Sequence, residues 1–202
     1  MSGEQTHEVG RDGSRRAKIW LDLTTRANVY WVNPEPFAVD KLEFDWADGT
    51  KFSFDLGGIM LGGEKNHQLF LAEVKNYSAS ADQGNHYHEY LAKCFRARIT
   101  RPSLAENFLW ITWTPFLVTQ WSDLCSTKRL TESLIKERVR ALGISDEKEA
   151  QEYLNNHTQE LEDVAARLWT PIVLSEHQEK HLTLTKEHLA LIRAEDTKAG
   201  VL

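Results

Sequence analysis

Three charged residues interrupt two apolar runs, where a charge is costly. In Phe54-Asp55-Leu56-Gly57-Gly58-Ile59 an aspartate ends a strand-like run. In Leu69-Phe70-Leu71-Ala72-Glu73-Val74-Lys75-Asn76-Tyr77 a Glu-x-Lys closes the next. A charge taken out of water must be paired or must bind a metal. The simplest chemistry is a divalent-cation site with a lysine beside it. Two carboxylates suit a hard cation that takes oxygen ligands, as Mg²⁺ does. A lysine can orient a metal-bound water or help to deprotonate it. Together they suit phosphodiester hydrolysis, where a nucleophile must be generated and a developing negative charge stabilised. The plainer alternative is an ion pair between Glu73 and Lys75 on an exposed strand edge.

The elements around these residues must bring them together. Gly62-Gly63-Glu64-Lys65-Asn66 is a turn-rich segment between the two runs. Folding the chain back about Glu64 sets Asp55 opposite Glu73. Residues two apart in a strand share a face, so Glu73 and Lys75 point the same way and Val74 points to the other layer. Upstream, Val39 to Trp46 alternates apolar and polar residues. Asp48-Gly49 marks a hairpin turn, and Lys51 to Asp55 resumes the alternation. These signals predict a three-stranded antiparallel meander over residues 39 to 77. Phe52, Phe54 and Leu56 should lie on one face, with Ser53 and Asp55 on the other. Gly57-Gly58 would let the backbone bend, or approach a substrate closely.

The helical period from Gln83 to Arg98 groups Tyr87, Leu91, Cys94 and Arg98, flanked by Tyr90 and Phe95. Glu89, Lys93 and Arg96 are expected to project the other way, where Lys93 and Arg96 could meet phosphates or simply face water. Ser78 to Asp82 reads as the preceding loop. His86 and His88 fall on different faces of this helix and do not make a joint metal site. Arg101-Pro102-Ser103 ends the helix, and Asn107 to Thr114 is an apolar strand stopped by Pro115. Trp110 and Trp113 read as core.

In this order of elements the chain resembles the PD-(D/E)XK nuclease superfamily, the restriction-endonuclease-like fold. The resemblance rests on Asp55, on Glu73-Val74-Lys75, and on the apolar strand, turn, strand, helix and strand around them. It covers roughly residues 40 to 116. It implies an α+β fold with a mixed sheet flanked by helices. It also implies Mg²⁺, with Mn²⁺ able to substitute, held by Asp55, Glu73 and the carbonyl of Val74. Asp55, Glu73, Lys75 and Gln83 would form the catalytic set, Gln83 being the polar group that the helix contributes. Lys93 and Arg96 would bind nucleic acid. The products would be a 5′-phosphate and a 3′-hydroxyl. Many members carry a further acid on a helix before the first strand. Glu8 and Glu35 fit that place poorly, and Glu89 is the substitute to consider.

Composition bounds the rest. A chain of 202 residues, 41% hydrophobic with seven tryptophans, can bury a sizeable core. No run of eighteen apolar residues suggests a membrane span. A reducing cytoplasm is the default expectation, since Cys94 and Cys125 lack metal spacing and no secretory leader is visible. A net charge of −6 is not the basic footprint usual in nucleic-acid binders, although charge distribution matters more than the sum. Residues 1–17 read as a flexible arm, with Glu8 in it. Lys18 to Leu23 and Ala27 to Val32 read as strands, the second ended by Asn33-Pro34.

Residues 18–116 would be the nuclease-like core and 117–202 a mainly helical extension packed on it. In that extension, Thr127 caps a helix to Leu142, stopped by Gly143. Ser145 caps a second, to about Trp169. Pro171 to Leu174 is a short strand, and Thr185 caps a last helix. Two functions of different classes follow. One is a metal-dependent nuclease acting on DNA, with RNA open as a variant, in restriction, anti-phage defence or repair; such an enzyme cutting both strands would commonly be a homodimer. The other is a non-catalytic scaffold or binding protein that meets a companion protein through its acidic helical extension, residues 127–195.

Overall fold

The computed structural model describes residues 3–76 and 82–200. Its centre is the strand that carries Glu73 and Lys75, β5 (Leu69–Lys75). In chain order the elements before it are α1 (Gly3–Thr24), β1 (Ala27–Val32), a single helical turn α2 (Val39–Leu42), the short strands β2 (Glu43–Asp45) and β3 (Lys51–Ser53), and β4 (Leu56–Met60). After it come α3 (Gln83–Thr100) and β6 (Phe108–Thr112). Then follow α4 (Thr127–Lys136), α5 (Arg138–Leu142), α6 (Glu147–Asn156), α7 (Thr158–Ala165), β7 (Ile172–Val173), α8 (Glu176–Leu182) and α9 (Lys186–Lys198). Among the described residues the strands build a five-stranded mixed sheet in the order β1-β4-β5-β6-β7. The first three strands are antiparallel, and β6 and β7 run parallel to β5. The result is an α+β protein, a mixed sheet flanked by helices.

The sheet is covered on both faces, which is why β6 reads as an unbroken apolar run and is buried throughout. Leu71, Phe108 and Trp110 turn to one face and pack with Tyr87, Tyr90, Leu91, Cys94 and Phe95 of α3. Ala72, Val74, Leu109 and Ile111 turn to the other and pack with Ala17 and Leu21 of α1. The extension continues the α3 side, where Leu130, Leu134, Leu154, Leu161 and Val164 join the same core. No helix among the described residues is long and apolar enough to cross a membrane.

Several elements differ from expectation. Lys18 to Leu23 is not a strand, and the residues read as an arm are not irregular from Gly3 onward: both belong to α1. Ser14, Ala17 and Leu21 are buried at helical spacing, and this period outweighs the short apolar run Ile19-Trp20-Leu21. The meander is split. The Asp48-Gly49 turn forms as expected, with Gly49 at φ +84° and Asp48 accepting from the Thr50 N–H. However, β2 and β3 make a separate two-stranded sheet, and Val39 to Leu42 is helical. The chain bends at Phe54-Asp55 before entering the main sheet. Phe52 and Phe54 therefore pack on the α3 side with Phe44 and Trp46, while Leu56 falls on the α1 side. Gly57 and Gly58 serve packing rather than a substrate. A β-carbon on Gly58 would lie 2.0 Å from the Asn28 carbonyl oxygen, and one on Gly57 would press on Leu42 and Trp31.

In the extension, the helix predicted to run to Leu142 breaks at Glu137 and is capped by Ser126, not Thr127. The helix predicted to be capped by Ser145 is capped by Asp146 instead and breaks at His157. Gly143 and Thr185 act as predicted, as stop and cap. The short strand Ile172–Val173 also forms. The predicted loop from Ser78 lies mostly outside the described residues.

Candidate active site

The site is built where β4 meets β5. The turn around Gly63–Lys65 brings the strands back with Leu56 opposite Ala72 and Gly57 opposite Leu71. Extending that register by one residue places Asp55 beside Glu73. The backbone N–H of Asp55 donates to the Ala72 carbonyl at 3.0 Å, and its side-chain Oδ2 accepts from the Val74 N–H at 2.7 Å. The carboxylate thus takes the place of the next rung of the ladder, just where the main chain bends away. A strand residue directs its N–H and C=O to the same edge, so the Val74 carbonyl also turns toward the Asp55 side.

Glu73 and Lys75 face α3, with Lys75 Nζ 2.7 Å from Glu73 Oε1. From α3, Lys93 reaches in as well. Its ammonium lies 3.1 and 3.2 Å from the two Glu73 oxygens and 3.3 Å from the Ser53 carbonyl oxygen. The Glu73 side chain is 5% exposed, against 17% for Lys75 and 12% for Lys93. The plainer expectation of a pair on an exposed strand edge is therefore not met. Burial would push the Glu73 carboxyl up, but the Lys93 and Lys75 ammoniums prevail and hold it below its ordinary range. Asp55 moves the other way. Burial, then the neighbouring charge of Glu73, raise it to about 6 against the pull of Lys75, the Val74 N–H and Lys93. The two carboxyl groups are thereby driven apart in acidity.

Gln83, the first residue of α3, is fully buried. Its Oε1 accepts from the Thr112 hydroxyl at 3.1 Å, while its Nε2 has no partner among the described residues. Thr112 is the register partner of Lys75 on β6, so Gln83 belongs to the same end of the sheet. Trp110 is buried in the core beside it, and the Lys75 ammonium lies 6.0 Å from its ring.

Other candidates go elsewhere. Lys93 does not project outward as expected, because it shares its side of the helix with the buried Tyr90 and Ala97. Arg96 bonds the Asp45 carbonyl oxygen of the hairpin at 3.4 Å and does not join the carboxylates. Glu89 pairs with Arg140 at 3.3 Å and supplies no further acid. His88 turns to Ser133 of α4 at 2.8 Å. The helix before the first strand does exist, as α1. It approaches the site edge at Gly13, where a β-carbon would lie 2.6 Å from the side chain of Asn76.

The donor set can be tested against the implied cation. No group of three or more His, Cys, Asp or Glu side chains suited to a metal occurs among the described residues. Two carboxylates and a main-chain carbonyl are nevertheless all hard oxygen donors. They fit Mg²⁺, which commonly uses one or two carboxylates and fills its remaining positions with water and phosphate oxygens. Ser53, whose carbonyl accepts from Lys93, and Thr112, which holds Gln83, carry no signal in the sequence. Nor does Asn33, whose N–H donates to the Asp55 carbonyl at 2.9 Å and whose amide donates to the Ser53 hydroxyl at 2.9 Å. Only Lys93 had a visible signal, its apolar neighbours three and four residues away.

No family model matches the chain, and no curated protein matches it. Among solved structures, it is similar to the Cap4 SAVED/CARF-domain containing receptor of Moraxella osloensis. The TM-score is 0.38 and the identity 13%, over 86% of this chain and 35% of that one. The chain thus spans about a third of the length of that receptor.

Proposed function

We propose that the protein is a metal-dependent nuclease of the PD-(D/E)XK type acting on DNA. The observation that carries this reading is the cluster of buried Glu73 with half-buried Asp55 and Lys75, Asp55 tied to the Val74 N–H and Lys75 bonded to Glu73. A divalent cation held by Asp55, Glu73 and the Val74 carbonyl would supply a Lewis acid for the scissile phosphate and an acidified water. Lys75 orients the attacking water and offsets the negative charge that grows on the phosphoryl oxygens. Gln83, anchored through Thr112, keeps both amide N–H donors unpartnered among the described residues at this end of the sheet. The attacking water gives a proton to bulk solvent as its oxygen bonds to phosphorus, and the bond to the 3′ oxygen breaks. The leaving oxygen takes a proton from solvent, giving a 5′-phosphate and a 3′-hydroxyl.

The test is incubation of the purified protein with supercoiled plasmid, linear duplex, single-stranded DNA and RNA, in Mg²⁺ and in Mn²⁺, beside Lys75→Ala. Cleavage by the wild type that disappears in the variant supports the reading and identifies the substrate. Cleavage of equal rate in both would sink it. One observation favours a second reading, a non-catalytic binding protein: Glu73 is already neutralised by two ammonium groups. Absence of cleavage on every substrate, with no response of thermal stability to either cation, would favour that one.

A further inference from the structure

Glu73 Oε1 accepts from both Lys75 and Lys93, and Oε2 accepts from Lys93. A carboxylate offers about four lone-pair sites, so little of this group remains open to a ligand. The two lysines are not equivalent. Lys75 rises from the same strand as Glu73 and can stay on Oε1 while another ligand takes Oε2. Lys93 comes across from α3, covers both oxygens, and donates to the carbonyl of Ser53, two residues before Asp55. Its ammonium lies against the same two Glu73 oxygens that a cation shared with Asp55 would need. Two cations at such separations repel strongly in a partly buried site.

We propose that Lys93 is a built-in counter-ion that holds the Glu73 carboxylate in place without a divalent cation and must withdraw when one enters. This rests on the nuclease reading of the same site and adds a regulation to it: the cation is admitted only in competition with Lys93. The withdrawn ammonium is then available to a substrate phosphate, so that cation and polyanion favour each other's binding.

The test measures Mn²⁺ binding to the full chain by titration calorimetry and thermal unfolding. It compares the wild type with Lys93→Gln, Lys93→Arg and the double variant Lys93→Gln/Glu73→Gln. Lys93→Gln should bind Mn²⁺ at least about tenfold more tightly, because a half-buried positive charge close to the ligand has gone. Lys93→Arg keeps the charge and should bind no more tightly than the wild type. The double variant should lose the gain. If Lys93→Gln binds no more tightly than a wild type that does bind, the counter-ion role fails and the nuclease reading survives. If no variant binds Mn²⁺, both fail. A gain that persists in the double variant puts the cation elsewhere and overturns the proposal. If Lys93→Gln folds only with Mn²⁺ present, the cation has replaced the ammonium, as proposed. If it stays unfolded at saturating Mn²⁺, the proposal is overturned.

Discussion

The Val74 N–H donates to the Asp55 carboxylate at 2.7 Å, so an acid from the bend before β4 is fixed against the strand that carries Glu73 and Lys75. This bond joins residues nineteen apart and uses a main-chain donor that only proline at position 74 would remove. It sets where Asp55 lies before any ligand arrives, and it makes the consequences of replacing each partner differ.

Glu73 should be the costliest of the site residues to replace. Glu73→Ala leaves the half-buried Lys75 and Lys93 ammoniums without their shared carboxylate. Loss of one partner of such a group costs about 3–5 kcal/mol, so denaturant unfolding should show a drop of that order together with loss of cleavage. Lys75→Ala leaves Glu73 still bonded to Lys93. It should keep most of the stability and lose cleavage by roughly 100-fold or more, and is the cleaner probe of mechanism.

Asp55 predicts a stability that depends on pH with an unusual sign. Its folded pKa, about 6, lies above its ordinary value of 3.8, so the proton is held more tightly in the folded state. Ionised Asp55 therefore opposes folding at neutral pH, and that penalty disappears as pH falls through about 6 toward 4. Glu73 is depressed, so its contribution is present above its ordinary value of 4.5 and is lost only as pH falls through its lower folded value. Without a divalent cation, Asp55→Asn should raise stability by roughly 1–3 kcal/mol at pH 7.5 and by about half as much at pH 5. Melting curves of the two chains across that range would measure it. A variant less stable than the wild type at pH 7.5 would contradict the shift.

The same ionisation governs chemistry. Cation binding needs Asp55 as the carboxylate, so Mn²⁺ affinity should fall about tenfold per pH unit below about 6, measured by titration calorimetry in non-chelating buffers. A flat affinity from pH 5 to 7.5 would mean that Asp55 is not a ligand.

Gln83 separates function from stability. Its Nε2 has no partner among the described residues, and Thr112 keeps alternatives in the Thr114 N–H and carbonyl. Gln83→Leu should therefore change stability by no more than about 1 kcal/mol. Cleavage should fall by roughly 10- to 100-fold if the amide donates to the substrate or its water. Unchanged kinetics would make Gln83 a packing residue.

Gly58 tests the scaffold. A β-carbon there would meet the Asn28 carbonyl oxygen at 2.0 Å, between two main chains that cannot yield independently. Gly58→Ala should cost about 3 kcal/mol or more by forcing β1 off β4, seen as loss of the cooperative unfolding transition. Gly49→Ala, at a turn with open space but φ +84°, should cost about 1 kcal/mol.

Local pattern by itself determined much of this protein. The return of the chain about Glu64 set Asp55 beside Glu73, because strand register follows from a turn and a period of two. The same period put Glu73 and Lys75 on one face. The helical repeat from Gln83 placed Tyr87, Leu91, Cys94 and Phe95 in the core. What only the tertiary structure decided has a common physical cause, competition between elements for the same apolar residues. The segment Ile19-Trp20-Leu21 is equally apolar as strand or helix, and became helix because Ala17 and Leu21 cover the Val74 face of the sheet. Phe54 and Leu56 parted because the chain changes sheets at Asp55. Lys93 turned inward because α3 lies between the sheet and the helices that follow, leaving its ammonium to find Glu73 across forty residues from Ser53 and twenty from Glu73. Charge alone says only that a lysine wants a partner; which partner it reaches is set by how the helix packs.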